Sequence, residues 1–335
     1  MNLRSAAPLA LMFALTACGG NSLNNVDPGT GGGTDGGIDS ERQLPPGTES
    51  PTRNTDIVRY EAQDDEGSGY VTSVSYDRAT DTFTVDNLAF DGDNAYQRGV
   101  AVGSLGPYAV YESDSAYVDS QTGAPIGQFT HRAIYGVSRT GETEFAIVRT
   151  GSYVGYGFGG FVYERNGSVT LPTEGQALFQ GDYAALRDFQ GRGGLEYVIG
   201  DMAIAIDFDD FNSGAAVRGK ITNRAIFDIN GRDITADVLA ALTEDTNVTQ
   251  SVLPTVVFQV GPGTLDANGE MVGQADSSVV TDTGALETFE SGNFYAVLSG
   301  EGAQEVTGII VLTADDPRYD GVTARETGGF ILYRE

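Results

Sequence analysis

Few side chains in this sequence are of the kinds that do covalent or metal chemistry. There is one cysteine, Cys18, and one histidine, His131. Structural zinc sites want several Cys and His ligands, and a Cys–His nucleophile wants both at one place, so neither chemistry is supplied. His131 sits in GQFTHRAIYGV, an alternating strand pattern, and no G-x-S-x-G elbow exists to partner it. Asp282, in VTDTGA, presents the Asp-Thr-Gly of an acid dyad, but two such carboxylates must share a proton and no second Asp-Thr/Ser-Gly occurs. Gly155 to Gly160 (GYGFGG) satisfies G-x-G-x-x-G literally, yet it runs into FVYER, a strand, where a dinucleotide site requires a helix. Asp91-Gly92-Asp93-Asn94 opens like a calcium loop, but Tyr96 and Val102 stand where Gly and Glu are needed. These motifs therefore read as a strand residue, a hairpin loop, a glycine-rich bend and a turn. No catalytic residue, metal ligand or cofactor is predicted, and the chain is not read as an enzyme.

What remains are contact residues. Tyr153, Tyr156, Phe158, Phe161 and Tyr163 crowd the glycine-rich bend. Such a cluster is either core or an exposed contact patch, and core is the commoner fate. If the bend touches a partner, Tyr153, Tyr156 and Phe158 are the residues that do so.

The N-terminus reads as an address. Arg4 precedes a short apolar run, Ala6 to Leu15, that is too short to span a bilayer and has the layout of a secretory signal over residues 1–17. Leu15-Thr16-Ala17-Cys18 resembles a bacterial lipobox, which implies that the Cys18 thiol receives a diacylglycerol and becomes the first residue of the exported chain. Acyl chains add about 0.8 kcal/mol per buried methylene, so two or more anchor stably. Gly19 follows in place of Asp, which in such lipoproteins favours the outer membrane. The partners implied are the membrane itself and the lipoprotein export machinery. Residues 18–55, rich in Gly, Asn, Asp, Ser and Pro, read as a flexible tether with a reach of roughly 30–35 Å.

Beyond the tether, 40% hydrophobic residues are enough for a core, and 46 Gly with 32 Tyr and Phe and no Trp fit short strands joined by tight turns. The formal charge of 19 − 47 = −28 repels phosphate backbones, so nucleic acid is not a partner. Residues 56–166 show strand-like runs at hairpin spacing and no helical period. The seam follows at Asn166 to Gly175. In residues 174–335 the alternation sharpens: Met202, Ile204, Ile206 and Phe208 alternate with small or acidic residues, and Val217, Gly219 and Ile221 with Arg218, Lys220 and Thr222. Strands are expected at 216–223 and 225–229 among others, with one helix at Ile234–Leu242. Eight or nine antiparallel strands here can bury their edges by closing into a barrel, whose interior is filled or holds one small ligand.

Three stretches carry a family resemblance: Ala177 to Tyr183 (ALFQGDY), Gly200 to Phe208 with Gly219-Lys220-Ile221-Thr222 after it, and Gly292-Asn293-Phe294-Tyr295-Ala296 with Gln304 to Ile309. They resemble the barrel domain of transferrin-binding protein B-like surface lipoproteins. Ala296 and Thr307 stand where that family often has Gly. The resemblance implies an all-β lobe: an eight-stranded antiparallel barrel (174–335) preceded by a smaller antiparallel handle-like domain (56–166). It also implies a lipoprotein of the outer membrane, facing the cell surface or the periplasm, that captures an iron source, haem or a host or environmental protein without enzymatic action. The other reading is an envelope-maintenance lipoprotein with no dedicated ligand.

Overall fold

The computed structural model describes residues 43–335 apart from 65–67, 87–94, 114–117, 125, 127–129, 212–213 and 215. Cys18, the signal and most of the tether lie outside the described residues, as does the turn at Asp91–Asn94.

The first sheet is built from β1 (Ile57–Tyr60), β4 (Gln97–Arg98), β5 (Ser104–Leu105), β6 (Tyr108–Ser113), β7 (His131–Val137), β8 (Thr143–Arg149) and β9 (Gly159–Arg165), in the order β1-β9-β8-β7-β6-β4 with β5 also on β6. β2 (Ser73–Asp77) and β3 (Thr82–Asp86) form a separate hairpin. Every ladder here is antiparallel. Ile134, Phe145, Ile147, Phe161 and Tyr163 fill one face. Ala133, Tyr135, Ala146, Val148 and Val162 fill the other, under Phe83 and Tyr96. A sheet covered on both faces has no polar side, which is why FAIVR and GGFVY show little alternation in the sequence.

The second sheet closes. After β10 (Val169–Thr170) come β11 (Gln176–Gln190), β12 (Glu196–Asp207), β13 (Val217–Asp228), β14 (Val256–Phe258), β15 (Glu270–Val280), β16 (Leu286–Glu301), β17 (Glu305–Asp315) and β18 (Thr323–Arg334). β11 through β18 pair as sequential antiparallel neighbours and β18 returns to β11, giving the eight-stranded barrel and an all-β fold. β10 pairs parallel to β16, an addition the sequence pattern did not announce. Among the described residues the one helix, α1 (Thr235–Thr246), is longer than expected; it buries Val238 in the barrel core with Leu239 packed against it.

Two expectations change. The strands expected at 216–223 and 225–229 are one strand, β13, with a register shift opposite Ile199–Asp201. Asn223 takes the left-handed conformation there (φ 53°), so the inward set passes from Val217, Gly219 and Ile221 to Arg224 and Ile226. The folded body also begins before Asp56: Thr48 donates its N–H to Val58 O, Tyr60 donates to Pro46 O, and Gly47 bridges to Arg59.

The first sheet packs on the outer wall of the barrel, where Ala184, Leu186, Tyr197, Val297, Ile309 and Ile331 join its inner face in one buried cluster. Gly329 permits the approach. A Cβ on Gly329 would lie 2.2 Å from the Phe145 ring, and one on Gly328, on the other side of β18, would lie 2.1 Å from the Tyr183 hydroxyl.

Candidate binding surface

The barrel interior is occupied by its own side chains. Phe258 and Phe294 stack at 3.7 Å between centroids, and each ring takes the space a side chain at Gly219 or Gly273 would fill. Phe179, Ile204, Met271, Val306 and Leu332 pack around them, fully buried. Toward the α1 end the filling turns ionic. Arg224 donates to both oxygens of Glu290 (2.9 and 2.5 Å) and to Pro254 O (3.0 Å), and lies 3.4 Å from Glu326. Ser277 donates to Glu290 and Tyr183 to Glu326. Arg187 and Arg318 share Glu196 and Asp316. Burial pushes the Glu326 carboxyl up, and the neighbouring Glu290 adds to this against the pull of Arg224. Burial pushes Glu290 up too, but Arg224 and Ser277 more than offset it and hold the carboxyl below its ordinary range. Of the two interiors open to a barrel of this size, the structure has the filled one, so recognition of any partner falls to the outer walls and loops.

One aromatic outer surface centres on the loop from Thr150 to Phe158. Thr150 N–H to Phe158 O closes it, with Gly157 at φ 80° where a side chain would meet Thr150 O at 2.9 Å. Tyr156 N–H donates to Phe189 O and Gly191 N–H to Val154 O, which ties the loop to the end of β11. Phe158 stands edge-on between Tyr153 (5.5 Å) and Tyr70 (5.4 Å). Burial raises the pKa of the Tyr153 phenol. Val154 is 65% exposed beside them. Arg192 lies over both Phe189 (4.0 Å) and Tyr319 (4.5 Å), and Tyr319 is 45% exposed.

Of the three aromatic residues singled out from the sequence, Tyr153 and Phe158 touch. Tyr156 covers the Arg325 guanidinium at 4.2 Å instead. Arg325 donates twice to Asp188 (3.1 and 2.5 Å) and once to Ser68 (2.7 Å); Arg149 donates twice to Glu61 (both 2.8 Å) and lies 4.0 Å from Asp188. This balanced set, two cations with two carboxylates, clamps the first sheet to the barrel wall. Sequence reasoning missed Arg192, Tyr319 and Arg325. Apart from Arg192 on Phe189, three residues away, their signal is three-dimensional: Arg192 meets Tyr319, and Arg325 meets Tyr156, from separate strands and loops.

The motifs weighed for chemistry lie elsewhere. His131 opens β7, buried against the Tyr96 ring. Asp282 occupies the β15–β16 turn, where Gly284 N–H donates to Thr281 O and Thr281 N–H to Ala285 O. The Gly155–Gly160 run leads from the tied loop into β9.

No family model and no curated protein matches this chain. Solved structures do. A transferrin-binding protein B double mutant from Haemophilus parasuis Hp5 is 11% identical over 79% of this chain and 45% of its own, with a TM-score of 0.36. A structure described as a surface lipoprotein is 12% identical over 60% of this chain and 80% of its own, TM-score 0.31. Intact Ap-TbpB, with N and C lobes, is 12% identical over 84% and 61%, TM-score 0.32. Each of these likenesses is at low identity, and this chain spans about half the length of the first of these structures.

Proposed function

We propose that this chain is a non-enzymatic binding lipoprotein, held to the outer membrane through acylated Cys18 and displayed at the cell surface or the periplasmic face. In this reading residues 1–17 are the export signal, the leash runs from Cys18 to the start of the folded body just before Pro46, and the segments up to 166 and 174–335 are the handle and barrel of one lobe. The observation that carries the binding role is the outer aromatic and arginine surface, since the barrel interior is filled. With Phe258, Phe294 and the Arg224 cluster occupying the interior, the partner is engaged from outside, and the surface around Tyr153, Phe158, Arg192 and Tyr319 has the aromatic and arginine content that concentrates binding energy in protein interfaces. Tyr156 supports that surface by packing on Arg325. The partner is a host or environmental protein, or a haem or other iron carrier, as the family resemblance implies.

The test uses the full chain against transferrin and haem, followed by surface-immobilised binding. Saturable binding that Tyr153→Ala and Tyr319→Ala each weaken supports the reading. Absence of binding across both probes and a wider iron-source panel moves it to an envelope-maintenance role. Cys18→Ser is expected to release the protein from membranes, and membrane retention of that variant without a mobility change removes the anchor.

A further inference from the structure

We infer that the cleft between the barrel's outer wall and the segment Gln43–Pro46 is a binding site for a neutral, polyhydroxylated small ligand of the saccharide class. The cleft encloses about 520 Å³, within the range of small-molecule sites. One wall is the outward face of β16 and β17, carrying Ser291, Asn293, Tyr295 and Thr313; the facing wall is Gln43 to Pro46 with Glu61 and Ser68.

Charge decides the ligand class first. The cation and the buried carboxylate bordering the cleft are paired, Arg325 with Asp188 and Ser68 and Glu61 with Arg149 through two hydrogen bonds, while exposed Asp64 accepts the N–H of Ser68 and keeps its charge. An anion would meet no uncommitted cation there and would approach a chain of formal charge −28. The neutral polar side chains on the walls are hydroxyls and amides. Ser291, Asn293, Thr313 and Gln43 are all exposed, and each of these types both donates and accepts hydrogen bonds, as sugar hydroxyls do. An apolar ligand would strip water from them without replacing it. The floor is aromatic: Tyr295, half-buried, is stacked on the buried Phe161 at 6.1 Å and 27° between planes, which holds its ring in place. A rigid aromatic ring bordered by neutral donors and acceptors suits a ligand with one apolar face and a hydroxylated edge. The inference is independent of Cys18 and of the Tyr153–Tyr319 surface.

Saturation-transfer NMR on the full chain with glucose, galactose, N-acetylglucosamine, maltose and lactose tests it. At least one sugar is expected to show saturable transfer to its ring protons. Asn293→Ala, and Ser291→Trp, which fills the cleft from an exposed position, should each weaken that binding at least about tenfold with unchanged melting temperature. Leu286→Ser, exposed on the β15–β16 hairpin, should leave it intact. No saturable signal from any of the five, equal signal in both cleft variants, or binding of only a charged control such as choline or lactate would overturn the assignment.

Discussion

Arg224 is turned into the barrel by the left-handed backbone of Asn223 and closes there on Glu290 with two hydrogen bonds of 2.9 and 2.5 Å. Both side chains are almost fully buried, so each is tolerated only because of the other. Arg224→Met is expected to destabilise by about 3–5 kcal/mol, since it leaves Glu290 and Glu326 facing one another inside the wall. Adding Glu290→Leu should recover part of that loss. Urea midpoints of the two variants check this, and a double variant no more stable than the single would show that the pair is not the main term.

The turn at Asn223 makes a separate prediction. Its side chain donates to Asp201 at 2.7 Å, while its backbone holds φ 53°. Asn223→Gly should be nearly neutral, whereas Asn223→Val should cost about 1–2 kcal/mol, because a β-branched residue resists the left-handed region. Thermal melts of the two variants separate backbone strain from the lost hydrogen bond.

Gly329 sets how closely the first sheet approaches the barrel. Gly329→Ala places a methyl 2.2 Å from the Phe145 ring and is expected to cost about 1–3 kcal/mol. In a double-mutant cycle with Phe145→Leu the two changes should be less than additive, since the smaller side chain relieves the clash. Strict additivity would mean the contact does not limit the packing.

Stability should also depend on pH through Glu144. Burial first, and then the Glu164 carboxylate directly across the ladder, raise Glu144 from its ordinary 4.5 to about 7, with the Tyr135 hydroxyl opposing at 2.8 Å. The folded pKa therefore lies above the unfolded one. The stabilisation is fully present below about 4.5 and is lost as pH rises through about 7. Melting temperature should fall between about pH 5 and about 8, and Glu164→Gln, which removes the like charge, should flatten that fall. An unchanged slope in Glu164→Gln would assign the effect to other groups, such as Asp266, which burial raises to about 6.

Much of the barrel was legible along the chain because its strands have one apolar face and one wet face, so Met202, Ile204, Ile206 and Phe208 announce themselves by alternation. The handle-like sheet was harder to read, since both of its faces are covered and its pattern blurs. Gly219 was read as inward, but the reason a glycine sits there, the Phe258 ring, is a contact with another strand.

By itself, the amino-acid sequence determined the all-β character, the antiparallel order and the scarcity of Cys and His, because period-2 alternation, turn residues and composition are local properties. Tertiary structure alone decided that β13 is one strand bent at Asn223, that the barrel is full, and that Arg192 meets Tyr319 and Arg325 meets Tyr156. Those depend on register, closure and the docking of one sheet on another. They bring together residues far apart in the chain, and no local pattern records which ones meet.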